Sequence, residues 1–542
     1  MQMDARTAKG DDSGDAVALL RRLTFGPRLG DVGWLNTLGL GDWLAMQLAP
    51  NTTDDDECNR RLDLLKIPIK YSAGPDTPGP NGVRQTWSAT DERRPLVYMN
   101  APIETAWKVV DRNVAMDGAE RRRPRDEAIA ATLLRAVYSR WQLREVMVSF
   151  WHDHFNVDAF SSDQIAAALP VYDREVIRAH ALGNFREMLE AVSTSTAMQC
   201  YLSNRTSRAG AANENYAREL FELHTLGRNA YLNDRYDRWR QVPGATTGKP
   251  EGYIDQDVYE AARAFTGWTV EDGSRLDNRT QLPNTGRFTY VENWHDGNQK
   301  RVLATEFDPF QAAMSDGRKV LDIVSAHPAT AVFIAEKLCA RLIGPQPSLR
   351  SVKLAATVFR ENQKNPRQIA LVIKAIVLSP DFANGRPLKV QRPLAMLTGF
   401  ARATGLEFTP TEGLVNQLSA CGQRLFGWPT PNGFPDDDHY LMGANALRQR
   451  WALVLGLAHN VWGNGALSID LLEHLDAVSP NAVASYWLNA MLGFVEPAVH
   501  AKIVASLGWA SEQPVAPAGV ERQKRIAHIA ACCALAPQLL LA

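Results

Sequence analysis

The signatures of the common catalytic families are missing from this sequence. It holds no phosphate-binding Gly-x-x-x-x-Gly-Lys loop, no Gly-x-Ser-x-Gly turn and no His-Glu-x-x-His helix. "GLGDWL" at 39–44 falls short of the dinucleotide fingerprint, because Leu44 stands where the third glycine belongs. Cysteine is scarce: six residues, at 58, 200, 339, 421, 532 and 533, with no Cys-x-x-Cys spacing. They read as small buried apolar side chains and not as a disulfide or zinc framework. Excess charge is also missing, since 59 Lys+Arg against 60 Asp+Glu leave a net charge of −1. That removes any overall pull toward nucleic acid or anionic lipid. The basic run Arg121, Arg122, Arg123, Arg125 is followed at once by Asp126 and Glu127 and reads as a solvated helix start. No apolar run has the length of a membrane span, and "MQMDARTAKGDD" lacks the apolar core of an export signal. The chain as given is therefore expected in the cytosol, or in the periplasm or outside the cell if a leader has been removed.

What is present is core-forming material. Hydrophobic residues at 45% and charged residues at 22% suit a globular protein, and 542 residues suggest several units. Apolar residues at Leu143, Val146, Met147, Phe150 and Trp151 follow the spacing of one buried helix face. Similar patterns run through 128–138, 174–193, 257–268, 329–343, 366–378 and 446–461, while alternating strand-like runs are short and few. The expected fold is mainly α: a large multi-helix globular fold with long irregular loops and few short strands. The expected division is an N-terminal helical arm over 1–124, a helical core over 125–400 and a C-terminal helical region over 401–542. Pro- and Gly-rich segments at 72–82, 240–252, 272–286 and 427–438 interrupt the helices.

Three segments offer chemistry. In "FWHDHF", 150–155, a helix that continues puts His154 about 20° from the centre of the buried face and His152 nearly opposite. If the helix stops near Trp151, an extended His152-Asp153-His154 turns both imidazoles to one side, as metal binding by His-x-His needs. In "NENYARELFELHTLG", 213–227, Asn213 can cap a helix whose one stripe holds Glu214, Asn215, Arg218, Glu219 and Glu222. That stripe is either a wet face with i, i+4 ion pairs or the wall of a cleft in which Arg218 keeps one carboxylate ionised. His224 falls beside Ala217 and Leu220 and reads as a packed core histidine. In "ENWHDGNQK", 292–300, His295 and Asp296 follow the strand-like "RFTYV" on a loop, as a surface turn or as an acid–base pair.

Blocks along the chain resemble one bacterial family. They are "LLRRLTFGPRLGDV" at 19–32, "LREVMVSFWHDHFNV" at 143–157, "YDREVIRAHALGNFREMLEAVSTSTAMQCYL" at 172–202, "NENYARELFELHTLG" at 213–227, "YEAARAFTGW" at 259–268, "HDGNQK" at 295–300, "RPLKVQRPL" at 386–394 and "GQRLFGWPTPNGFP" at 422–435. In this order they are similar to the domain of unknown function 1800 family. The resemblance implies a largely helical protein of unassigned activity, often exported, with a sulfatase-like uncharacterised exported protein as a partner. The chain departs from the family pattern in lacking a leader, in placing His224 where an aromatic is more usual, and in the insertion-like 235–252. The expected activity is hydrolytic, with His152, His154, Arg218, Glu219, Glu222, His295 and Asp296 around one cleft. A divalent metal is expected on His152, His154 and Glu222. The competing expectation is a non-catalytic binding or assembly protein that uses the loop 427–438. That loop, with Trp428, Phe434 and Tyr440, is expected to fold back as a covering edge, its Asp436, Asp437 and His439 forming a solvated turn.

Overall fold

Helices begin where a short polar side chain can hold a free amide. Ser162 accepts from the Ile165 amide ahead of Asp163–Val171, and Asn184 accepts from the amides of Arg186 and Glu187 ahead of Phe185–Ser193. Asn213 caps Glu214–Glu219 through the Asn215 amide, as its place in the sequence predicts. The computed structural model describes residues 12–541 apart from 80, 277–278, 385–388, 436–437, 468–477 and 517–518. Asp436 and Asp437 thus lie outside the described residues. Among those described, α-helices dominate, and the strands form three two-stranded antiparallel hairpins: Lys66–Tyr71 with Thr90–Pro95, Trp268–Asp272 with Asn284–Tyr290, and Lys300–Val302 with Thr305–Phe307. The fold is mainly α.

Two large apolar clusters organise it. One gathers Trp43, Met147, Trp151, Phe155, Phe185, Phe221 and Trp268. The other gathers Leu133, Val137, Leu397, Leu453, Trp487 and Ile529. Helix Gly118–Tyr138 gives Ala128 and Ala131 to the first and Ile129, Leu133 and Leu134 to the second, so it forms the wall between them. Its basic start is not solvated as the sequence suggests. Arg121 is buried and donates to the carbonyls of Val109, Asp111 and Val114, and Arg123 is buried against Glu127 at 2.8 Å. Arginine is tolerated there because its planar fork finds several acceptors at once.

Two helical runs end earlier than periodicity predicts. The 174–193 run divides into a π-helical Tyr172–Arg178 and helix Phe185–Ser193, separated at the Asn184 cap. The 257–268 run stops at Ala264, because Gly267 takes φ +84° and Trp268 opens a strand. Cys58, Cys339, Cys421 and Cys533 are buried thiols, and none of the six cysteines is in a disulfide. No single helix among the described residues is long and apolar enough to cross a membrane.

Candidate functional site

Helix Gln142–His154 runs through both histidines, so their imidazoles diverge as successive helical positions require. Leu143, Met147, Phe150 and Trp151 face the first core, and His154 turns with them, 1% exposed. The opposite stripe, Glu145, Val148, Ser149 and His152, has i, i+3, i+4, i+7 spacing and lines a separate cavity of about 50 Å³. His152 is nevertheless buried, 8% exposed, because a second layer covers this face as well.

Part of that layer is the π-helical Tyr172–Arg178, whose wider i→i+5 turn stacks residues five apart. Asp173 and Arg178 meet there: Arg178 Nε donates to Asp173 Oδ2 at 2.7 Å, and its Nη1 donates to both Glu145 oxygens at 2.8 and 2.9 Å. His152 Nε2 stands 2.9 Å from Asp173 Oδ1, and Arg135 Nη1 reaches Oδ2 at 3.3 Å. Burial pushes the Asp173 carboxyl up, but Arg178, His152 and Arg135 outweigh it and hold it far below the usual carboxylate range. An ionised Asp173 can only accept, so His152 Nε2 donates, and the tautomer this bond selects for the neutral ring carries its lone pair at Nδ1. Among the described residues Nδ1 makes no hydrogen bond.

The roof is the Pro/Gly-rich segment 423–434. Gln423 Oε1 accepts from the Leu394 amide at 2.8 Å, the Ala159 amide donates to the Phe426 carbonyl at 2.8 Å, and Asn156 Nδ2 donates to the carbonyls of Trp428 and Thr430, both at 2.9 Å. The Phe426 ring packs edge-on to His152 with centroids 4.7 Å apart. Gly433 makes this closure possible: its φ is +77°, and a Cβ there would stand 1.9 Å from the Asp153 carbonyl oxygen. The loop therefore covers the histidine, and Trp428, Phe434 and Tyr440 pack edge-to-face on one another, as their aromatic character predicts. Three buried polar atoms on the cavity wall, Arg178 Nη2, Thr132 Oγ1 and Trp428 Nε1, have no hydrogen-bond partner. Buried polar groups are nearly always paired, so these three call for polar partners that the neighbouring side chains do not supply.

The other expected site residues have partners of their own. His154 Nδ1 accepts from Lys337 Nζ at 2.8 Å, so its Nε2 donates to the His224 carbonyl at 3.1 Å. Burial first, then Lys337 and His224, push its pKa well below the usual value. It thus reaches the glutamate helix through a carbonyl and not through Glu219 or Glu222. That helix becomes π-helical over Leu220–His224, which breaks the i, i+4 register. Arg218 accordingly pairs with Glu214 at 3.2 Å and with Asp255 at 3.1 Å, while Glu222 turns to Arg228. Glu219 is half-buried and its pKa is raised, by burial first and then by Glu222. His295 Nδ1 donates to the Thr266 carbonyl at 2.9 Å, and its Nε2 lies 3.3 Å from Asp316, which the buried Lys300 holds at 2.6 Å. Asp296 accepts from Arg263 Nε and Nη2 at 2.7 and 3.1 Å, which brings its pKa to about 2 against burial. Of the expected residues, only His152 lines the cavity. The expected ligands His152, His154 and Glu222 do not share a point. Among the described residues no three His, Cys, Asp or Glu side chains form a group able to hold a metal ion.

Sequence reasoning passed over Asp173, Arg178, Glu145 and Ser149. The available signal was the five-residue spacing of Asp173 and Arg178 in "YDREVIR", which fits no α-helical face but fits a π turn. No curated protein and no solved structure matches this chain. The model of one family, described as a protein of unknown function, DUF1800, matches residues 18–538, and the chain belongs to that family.

Proposed function

We propose that the protein is a hydrolase in which His152 is the general base. The observation that carries this reading is an imidazole with one nitrogen fixed by an ionised Asp173 and the other without a partner, on a covered cavity with unpaired donors. That is the arrangement by which a carboxylate sets the tautomer of a catalytic histidine and stabilises the imidazolium it becomes. Nδ1 takes the proton of the attacking hydroxyl or water, and Arg178 Nη2 and Trp428 Nε1 supply hydrogen bonds to the oxyanion that develops. Movement of the 423–434 roof admits substrate, since a cavity of about 50 Å³ holds only the reacting group. His152 serves here as a base and not as a metal ligand. A panel of chromogenic esters, amides and phosphate esters tests this. Hydrolysis of at least one class is expected from the wild type, with a loss of about 100-fold or more in His152→Asn. Equal rates in the folded variant remove His152 from the chemistry.

A second reading, binding without catalysis, is favoured by one observation. An open cleft of about 500 Å³, lined by Trp239, Ile254, Asp257, Glu260, Arg301 and Glu306, has the size of a ligand site. Asp257 is engaged by the amides of Ile254 and Leu303, and Glu260 by Gln256 and Arg263, so these two carboxylates are already committed. The sulfatase-like partner belongs to this reading. Trp239→Ala is expected to weaken its capture with hydrolysis unchanged, and equal capture removes the cleft from the interface.

A further inference from the structure

Ser149 shares the cavity with His152 and stands three residues before it on the same helix, one turn away. A serine or threonine hydroxyl inside a helix can be left to other partners or donate to the carbonyl four residues back. Ser193, Thr398 and Thr404 do so here, at 2.6, 2.8 and 2.7 Å. The Ser149 hydroxyl makes no hydrogen bond among the described residues. Thr132 faces the same cavity unbonded, but it stands on another helix, Gly118–Tyr138, whereas Ser149 stands one turn from His152 on the same helix. The nitrogen of His152 that is left without a partner is Nδ1, the one nearer the backbone. It is therefore the nitrogen that a side chain as short as serine, one turn away, can approach.

We infer that Ser149 is the nucleophile of this site and that its substrates are esters of a short acyl group, an inference that rests on the reading of His152 as base. Ser149 Oγ attacks the acyl carbonyl carbon while its proton passes to His152 Nδ1. The resulting oxyanion takes hydrogen bonds from Arg178 Nη2 and Trp428 Nε1. The ester C–O bond then breaks, and the leaving alkoxide takes the proton from His152, which leaves an acyl ester on Ser149. Water attacks that ester, gives its proton to His152, and the acid departs as Ser149 Oγ is reprotonated. The cavity limits the acyl group: about 50 Å³ accepts roughly three or four water-sized atoms, an acetyl and little more.

The test uses p-nitrophenyl acetate with the full chain, following p-nitrophenol release and the intact mass after rapid acid quench. The wild type is expected to give a burst of p-nitrophenol and one acetyl on the peptide that contains Ser149. Ser149→Ala is expected to lose the acetyl and slow by about 100-fold or more. Ser149→Cys keeps a nucleophile at the same place and is expected to restore acetylation as a thioester, which separates lost chemistry from lost structure. Hydrolysis that survives in Ser149→Ala but is lost in His152→Asn makes water the nucleophile; it overturns this inference and leaves the role of His152 standing. Hydrolysis unchanged in both variants overturns both readings. An acetyl on another serine, or a wild type inert toward the ester, overturns the inference as well.

Discussion

Replacing His224 with phenylalanine is expected to stabilise the protein. The His224 side chain is 0% exposed, and neither ring nitrogen has a hydrogen-bond partner. Its ring packs on Phe155 at 5.1 Å between centroids and lies 6.2 Å from His154. The bond from His154 goes to the backbone carbonyl of residue 224, so the substitution leaves it in place. Each buried unpaired nitrogen costs roughly 1–3 kcal/mol. Part of that relief is offset by fitting a slightly larger ring into a packed core, at roughly 1–3 kcal/mol. Two nitrogens at roughly 2–6 kcal/mol together, less that cost, leave a net gain centred on about 2 kcal/mol at neutral pH, read as a higher urea midpoint at unchanged slope.

The same variant has a pH signature. Burial, then the Lys337 charge, lower the His224 pKa from 6.5 to about 3. Below pH 6.5 the unfolded chain binds a proton that the folded protein refuses until about pH 3, so this contribution to stability is complete above 6.5 and falls as pH drops through that window. The phenylalanine variant has no such proton to bind, whereas His154, lowered in the same direction, is present in both proteins. The stability difference should widen by about 1.4 kcal/mol per pH unit on the way down. A variant less stable than wild type at neutral pH, or a difference that does not grow on acidification, refutes the reasoning.

Other outcomes follow from the same geometry. Arg178→Met leaves buried Glu145 without its cation and Asp173 with only Arg135 and His152, and is expected to cost about 3–5 kcal/mol in urea unfolding. Gly433→Ala places a Cβ against the Asp153 carbonyl at a φ of +77°, so the roof must lift; hydrolysis should fall while the helical circular dichroism stays unchanged. Arg218→Lys is expected to change stability by under about 1 kcal/mol, since the side chain is 37% exposed and its partners Glu214 and Asp255 are each 42% exposed.

The helices were legible because periodicity reports burial, and the cap at Asn213 was legible because a short amide side chain at a helix start accepts a free backbone amide. The site was legible only in part, for two physical reasons. A single helix was read as having one buried face, whereas helix Gln142–His154 is covered on both, so His152 looked exposed when it is paired with Asp173. The π-helical turns at Tyr172–Arg178 and Leu220–His224 shift the register by a residue, which hides the Asp173–Arg178 pair and separates Arg218 from Glu222. The loop that begins at Gly427 was legible as a cover because Trp428, Phe434 and Tyr440, set among prolines and glycines, need a surface to pack on.

Chemical modification of His152 is the most direct test of the account. Diethyl pyrocarbonate acylates an unprotonated imidazole nitrogen that is free of a partner and within reach of the reagent, which excludes the sealed nitrogens of His224, and peptide mass mapping shows which of the 11 histidines has reacted. The account predicts that loss of hydrolysis tracks modification of His152, with His154 and His224 unreacted. Hydrolysis that persists once His152 is fully modified, or that falls while His152 remains intact, contradicts it.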